Sequence, residues 1–304
     1  MLNISVIIPI YNTGKYITET LSSVLYQNIE DMEIICINDG STDNSLKILT
    51  DFAKKDSRIK VYSQQNQGQS VARNRGLHHA KGKYVYFMDS DDVLKPKCFE
   101  KCLTAIEDNK YDFLFFDGDT MCEDVESNIC WNYHRTYIYE EKTAYKGDIL
   151  MNSLLDNYTF RAVPWLLFIR HEYLKQLSLS FYPGIIHEDE LFTTLLTIQA
   201  NKIGCIKESL IKHRIRANST ITTKYSQKNV DCYLTVVDEL MRWGEKNPKQ
   251  KPLLNKYASY TLDKVLYTAH VLSINQKIDI TKRIIQKKYT SYISLMNWLR
   301  FLIK

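Results

Sequence analysis

No apolar run in this sequence approaches the ~20 residues that a helix needs to cross a bilayer, so no membrane-spanning helix is expected. Nor does a basic stretch, a long apolar core or a small-residue cleavage site precede the strand-like run that opens at Ile4, so no secretory signal is expected. The seven cysteines (Cys36, Cys98, Cys102, Cys122, Cys130, Cys205 and Cys232) are odd in number, widely scattered and without the paired short spacings of a zinc site. That usage predicts reduced thiols in cytosol and no structural disulfide. Charge of either sign is not in large excess: a formal net charge of +5 gives only a mild preference for anionic partners such as nucleotides, phospholipid surfaces or nucleic acid. Internal repeats and low-complexity tracts are also missing.

What is present is enough apolar matter for a sizeable core, 44% hydrophobic and 12% aromatic over 304 residues, in one large domain or one plus an appendage. The 21 tyrosines suit sugar or base stacking, and they suit ordinary cores equally. Ile4–Ile10, Glu33–Asn38, Ile59–Tyr62 and Tyr84–Met88 are apolar runs of strand length, and the first two read as covered on both faces. Between them lie helical periodicities: Ile17, Leu21, Val24 and Leu25; then Leu46, Leu49, Phe52 and Ala53; then about Ser70 to Ala80, which Gly82 is expected to end. Four alternations predict a doubly wound α/β sheet, in which ligands sit outside the carboxyl ends of the strands. Tyr11-Asn12, Asp39 and Asp89/Asp91 should therefore line a single crevice.

Tyr84–Asp92, YVYFMDSDD, ends an apolar strand abruptly on carboxylates. In an extended segment residues i and i+2 point the same way, so Asp89 and Asp91 can offer two hard oxygen donors to one Mg²⁺ or Mn²⁺. A solvated acidic turn reads equally well from the residues alone. Further on, a helix over Lys97–Asp108, a strand over Tyr111–Asp117 and an excursion from Thr120 to Tyr145 are expected. Val163–Arg170 reads as a strand running into a helix start, and Ile203–Ile206 and Leu210–Arg216 read as two short strands. Glu188 and Asp189 open a helix, where acids also serve simply to complement the helix dipole. From about Ser226 the pattern is helical throughout, with Pro248 and Pro252 bounding a basic linker.

Five pieces in this order and spacing carry a resemblance: Val6-Ile7-Ile8-Pro9-Ile10-Tyr11-Asn12; Glu33 through Asn38-Asp39-Gly40-Ser41-Thr42-Asp43; Asn66-Gln67-Gly68-Gln69-Ser70-Val71-Ala72-Arg73-Asn74; Asp89-Ser90-Asp91-Asp92; and Glu188-Asp189. Over roughly residues 1 to 220 the chain resembles the family-2 glycosyltransferases, inverting enzymes of the GT-A fold. The resemblance implies an α/β, Rossmann-like, mostly parallel central sheet with flanking helices. It divides the chain into a catalytic domain over 1–225, with a nucleotide-binding half (1–95) and an acceptor half (96–225), and a helical C-terminal region over 226–304.

It also implies a nucleotide-sugar donor, usually uridine-linked, and a glycan or lipid-linked acceptor, with no nucleic acid as partner. In that frame Asp39 accepts the uracil N3–H, Pro9 and Tyr11 shape the wall against the base, and Asn12 belongs to the same donor site. Arg73 is expected on the base region or the diphosphate, and Arg75 at the surface. Asp89 is expected to contact ribose or metal-bound water, and Asp89 and Asp91 to hold Mn²⁺ or Mg²⁺, with Asp92 as the alternative ligand. Asp189 takes the place of the general base, with an ordinary aspartate pKa near ~3.9, and Glu188 orients it or touches the acceptor. His213 and Arg214 resemble the segment that closes over the diphosphate, where a neutral His213 could complete a metal shell; Arg216 ranks behind them.

Lys282, Arg283, Lys287 and Lys288 beside Ile284 and Ile285, then Leu295, Met296, Trp298, Leu299, Phe301, Leu302 and Ile303, make a basic, amphipathic tail. It fits either the inner face of the cell membrane or packing on the catalytic domain or on a second subunit. Three other classes compete with the glycosyltransferase reading. A haloacid-dehalogenase-like phosphatase would use Asp89 as nucleophile, but three strand–helix units precede it here. An inactive sugar- or nucleotide-binding module would be favoured were Asp89, Asp91 or Asp189 missing. A nucleotidyltransferase would need a glycine-rich phosphate loop, which Ile10–Gly14 does not supply.

Overall fold

The computed structural model describes residues 2–122, 132–216 and 224–303. Its first half follows the expected alternation: β1 (Ile4–Ile10), α1 (Ile17–Leu25), β2 (Met32–Asp39), α2 (Ser45–Lys55), β3 (Ile59–Gln64), α3 (Gln69–His79) and β4 (Tyr84–Phe87). β1 is buried at all seven positions because parallel neighbours, β2 and β4, flank it and helices cover both faces. Gly82 does not cap α3, which stops at His79 with Ala80 extended. Gly82 is needed because the chain entering β4 presses on β1: a Cβ there would meet the Ser5 nitrogen at 2.5 Å. Ser5 Oγ accepts from the Gly82 N–H at 2.8 Å and donates to Glu33 at 2.7 Å, tying three strands together.

The second half comprises β5 (Val93–Leu94), α4 (Cys98–Asn109), β6 (Phe113–Cys122), α5 (Gly147–Asp156), β7 (Leu167–Arg170), α6 (His171–Leu177), α7 (Glu188–Ile198) and β8 (Ile203–Ile215). All eight strands form one sheet in the order β3-β2-β1-β4-β7-β6-β8-β5, with β7 and β5 antiparallel to their neighbours. Val163–Arg170 keeps the expected order of strand then helix, with the strand confined to Leu167–Arg170. A 3-10 turn at Pro164–Leu166 precedes the strand, because proline suits a first helical turn, and the helix starts only at His171. The two strands expected around 203–216 are one strand whose ladder with β6 shifts register near Asp117; the exposed Lys207 and Glu208 fall at that irregularity. Of the expected excursion over Thr120–Tyr145, residues 123–131 lie outside the described ones. Six cysteines among the described residues are free thiols.

Four helices follow: α8 (Gln227–Lys246), α9 (Lys251–Ala269), α10 (Ile274–Gln286) and α11 (Leu295–Ile303). The expected basic linker is no more than a 3-10 turn at Pro248–Gln250, with Pro252 inside the first turn of α9. Val230, Leu234, Leu262, Leu266, Ile280, Ile284 and Phe301 form a core of their own. The opposite faces of α8 and α9 contribute Val236, Leu240, Leu254 and Tyr257 to the core beneath α5 and α7. Phe301 anchors α11 inward, while Leu295, Met296, Leu299, Leu302 and Ile303 stay exposed. No helix among the described residues is long and apolar enough to cross a membrane.

Candidate active site

The carboxyl ends of β1, β2 and β4 open into a cavity of about 2220 Å³ that continues past the start of α7 to the C-terminal helices. Pro9, Tyr11, Asn12, Asp39, Arg73, Asp89, Asp91, Glu188, Asp189 and His213 all line it, so residues up to two hundred positions apart meet there. Asp39 ends β2 and is 3% exposed. Its Oδ1 accepts from Gln64 Nε2 (2.8 Å) and the Gln67 N–H (2.9 Å), and its Oδ2 accepts from the Gly68 N–H (2.8 Å). Gly68 has φ +87, which only glycine adopts readily, and it starts α3. Three of the roughly four lone-pair positions of a carboxylate are thus filled, leaving one at Oδ2 for an incoming N–H. Tyr11 is 49% exposed on the same wall. Asn12 works within the protein: its Oδ1 accepts from the Thr42 N–H (2.8 Å), locking the loop after β1 to the loop after β2.

Asp89 to Asp92 form a turn, closed by a weak Asp92 N–H to Asp89 carbonyl contact of 3.4 Å, and not the expected extended segment. Asp89 and Asp91 nevertheless both reach the cavity. Asp89 Oδ1 accepts from Gln69 Nε2 (3.0 Å) and Arg73 Nη2 (2.8 Å), and Asp91 Oδ2 accepts from Arg216 Nε (2.6 Å). Asp92 points the other way and is fully buried, which removes it as the alternative metal ligand. It accepts from the Arg214 N–H (2.9 Å) and faces His213 Nδ1 at 3.0 and 3.1 Å. Burial pushes the Asp92 carboxyl up to about 6, offset only in part by His213. Burial opposes charge on His213 too, but Asp92 outweighs it and raises the imidazole to about 9.

His213 stacks on Trp165 (4.8 Å between centroids, 11°) and meets the edge of Tyr133, and among the described residues its buried Nε2 has no hydrogen-bond partner. An imidazole whose far nitrogen is held by a carboxylate is the usual support for a metal-ligating or anion-binding histidine. Arg214 differs from expectation. It lies over the Tyr16 ring, donating from Nε to the Asp91 carbonyl (2.8 Å) and from Nη2 to Glu19 (2.5 Å), and it does not line the cavity. Arg216, ranked behind it in sequence, does line it.

At the start of α7, after His187 in the left-handed region (φ 69), three successive carboxylates are sorted by their partners. Glu188 accepts from Arg73 Nη1 at 2.9 Å and Glu190 from the Tyr257 hydroxyl at 2.7 Å. Asp189 has only the N–H of Glu190, on Oδ1 at 3.0 Å, so among the described residues its Oδ2 takes no partner. Burial, then Glu188 and Glu190, raise its carboxyl well above the ordinary value, and Arg73 opposes them. The expectation of an ordinary pKa is thereby corrected. Arg73 is 4% exposed, lies over the Phe181 ring and spans Asp89 and Glu188. Its fork is committed to carboxylates where a base or diphosphate contact was expected.

Sheet, crevice and acidic turn together define a GT-A fold glycosyltransferase. The chain belongs to the family described as Glycosyl transferase family 2, which it matches over residues 5–176. It is 30% identical over 226 residues to an uncharacterized glycosyltransferase, YibD, of Escherichia coli, covering 74% of this chain and 65% of that one. It is also 30% identical over 256 residues to the glycosyltransferase GlyG of Streptococcus pneumoniae, covering 77% and 82%. In fold it is similar to S. aureus TarS 1-349 solved in complex with UDP-GlcNAc, with a TM-score of 0.75 at 21% identity over 98% of this chain and 85% of that one. It is similar as well to the mannosyltransferase PcManGT of Pyrobaculum calidifontis, solved with GDP-Man and Mn2+, with a TM-score of 0.59 at 15% identity over 99% and 85%.

Proposed function

We propose that this glycosyltransferase moves a hexose or N-acetylhexosamine, with inversion, from a UDP-linked donor to a hydroxyl of a surface glycan or lipid-linked oligosaccharide. The observation that carries the reading is Asp189, a raised carboxyl with one unpartnered oxygen, sharing one cavity with Asp39, Asp89 and Asp91. The open position on Asp39 suits the uracil N3–H, and Pro9 and Tyr11 supply the wall beside the ring. His213 Nε2 and Arg216 face the space a diphosphate would fill. Asp189 takes the proton of the acceptor hydroxyl as that oxygen bonds to C1, while the bond from C1 to the phosphate oxygen breaks and the nucleoside diphosphate leaves with the electron pair. A single displacement of this kind inverts the anomeric centre.

Among the described residues no group of three His, Cys, Asp or Glu side chains is placed to hold a metal ion by itself. Asp89 and Asp91 fit the alternative in which one or two carboxylates and the substrate's phosphates share a Mn²⁺ or Mg²⁺ ion. When bound, such an ion neutralises charge on the leaving diphosphate. Thermal unfolding tests donor and metal together: UDP-sugars with Mn²⁺ are expected to raise the midpoint more than GDP-sugars do, by ligand linkage. Asp91→Ala should lose the Mn²⁺-dependent part of that rise. An undiminished rise would count against Asp91 as a ligand, and no rise with any nucleotide sugar would count against the donor class.

The tail supports work at the cytoplasmic face of a membrane. Arg283 and Lys287 are tied to Asp231 and Asp238 of α8, but Lys282 and Lys288 are exposed, as are Ile285 and the apolar face of α11. Leu295→Glu with Leu299→Glu alters only exposed positions and should abolish flotation with anionic liposomes; equal flotation would assign the face elsewhere.

A further inference from the structure

The cavity is far larger than a nucleotide sugar needs, since small-molecule sites typically span about 300–1,000 Å³. Its surplus is a groove that runs from the start of α7 between the segment after α5 and helices α8 and α9. Tyr225, Tyr233 and Tyr260 line it; one face of Tyr233 is taken by the stacked His187 ring (4.1 Å between centroids), and Tyr225 and Tyr260 are flat, amphipathic surfaces of the kind that sugar rings stack on. Cations punctuate them: Arg161, Lys228 and Lys264.

None of these three is ion-paired to a carboxylate among the described residues, although the buried Glu190 lies near enough to Arg161 and Lys264 for both to oppose the rise of its carboxyl, and two further acids of the groove are engaged. Asp156 is ion-paired to Lys256 at 2.6 Å, and Asp263 accepts from the Ser294 N–H at 2.8 Å. Arg161 is held rigidly by neutral acceptors only: the carbonyls of Asn132 (3.0 Å), Tyr158 (3.1 Å) and Phe160 (2.9 Å). Its Nη2 has no partner among the described residues. Lys264 is close enough to His187, the residue before Glu188 and Asp189, to help burial hold that imidazole down to about 4. Positive charge therefore extends along the groove to the edge of the reaction centre.

We infer that this groove is the acceptor site and that it takes a multi-unit chain carrying regularly spaced negative charge, either carboxylates of acidic sugars or phosphodiesters. Tyrosines bind the neutral faces of the units, and Arg161, Lys228 and Lys264 take their anions. The assignment rests on the glycosyl-transfer reading above and adds the acceptor's charge and length to it.

The test uses three probes in calorimetric titrations of the full chain: oligogalacturonate, its neutral methyl ester, and an oligomer of glycerol phosphate. At least one anionic probe is expected to bind ten-fold or more tightly than the ester, and which one does so identifies carboxylate or phosphodiester as the source of charge. Lys228→Gln with Lys264→Gln should remove most of that preference. Lys47→Gln with Lys55→Gln, the same charge change on the exposed face of α2, should leave it intact. Equal binding of the ester, or an equal loss in the α2 control, would overturn the inference. The midpoint rise with UDP-sugars is recorded on the same variants; if it is absent while the groove binds its probe, the donor reading has failed and not this one.

Discussion

Asp189→Asn is expected to lower glycosyl transfer by roughly 10²–10⁴-fold, the range a positioned general base contributes, while leaving UDP affinity close to that of the parent. The amide keeps the shape and the N-terminal position on α7 but cannot accept the acceptor's proton. Stability should move the other way. A carboxyl whose pKa is raised in the fold carries no penalty below its unfolded value, about 3.9. The penalty then grows as pH rises towards the folded value, and it persists above it. At neutral pH the asparagine variant should therefore melt higher than the parent, a trade of stability for activity common at active sites. In the parent, the acid limb of kcat/KM should lie above that of a solvated aspartate. Burial sets it first, then Glu188 and Glu190 on α7, with Arg73 on α3 opposing them. Strong residual transfer by Asp189→Asn would remove it from the role.

Arg73→Ala should be the most damaging change that touches no reacting atom. It strands two carboxylates, Asp89 and the buried Glu188, and breaking such a pair by removing one partner typically costs about 3–5 kcal/mol. Because Asp89 keeps some solvent, the lower end of that range is expected in denaturant unfolding. Arg73→Lys retains the charge but not the fork, and one ammonium cannot reach both partners in the same geometry. It should recover much of the stability and little of the transfer. Its acid limb should move further up in pH, since the charge opposing the raised Asp189 carboxyl is less well placed. If Arg73→Lys were as active as the parent, the link between the donor turn and the base helix would be dispensable.

The strands that build the donor side were legible because each is covered on both faces and reads as an unbroken apolar run, as in Ile4–Ile10. The rule that ligands sit at the carboxyl ends then located Asp39, Asp89 and Asp91 without any knowledge of packing. Where the chain bends, that logic weakened. A register shift in the β6–β8 ladder split one strand into two apparent ones. A turn at Asp89–Asp92 hid which aspartate faces inward, and only the partners of Asp92 on β8 decide it. The contact between Arg73 and Glu188 joins residues 115 apart, and no local periodicity encodes it. For the same reason Arg214 and Arg216 could not be ranked: both guanidinium groups lie over the Tyr16 ring at the end of β8, and the difference lies in Glu19 of α1 capturing the first.

The whole account depends on where the sugar sits relative to the start of α7, and a crystal structure with an unreactive UDP-sugar analogue and Mn²⁺ measures that directly. The anomeric carbon should lie with its diphosphate toward Asp89 and Asp91 and its opposite face toward Asp189. The carboxylate should stand about 5–7 Å away, leaving room for one acceptor oxygen in hydrogen-bond reach of the base. A donor bound with Asp189 on the diphosphate side, or with another carboxylate in that position, would contradict it.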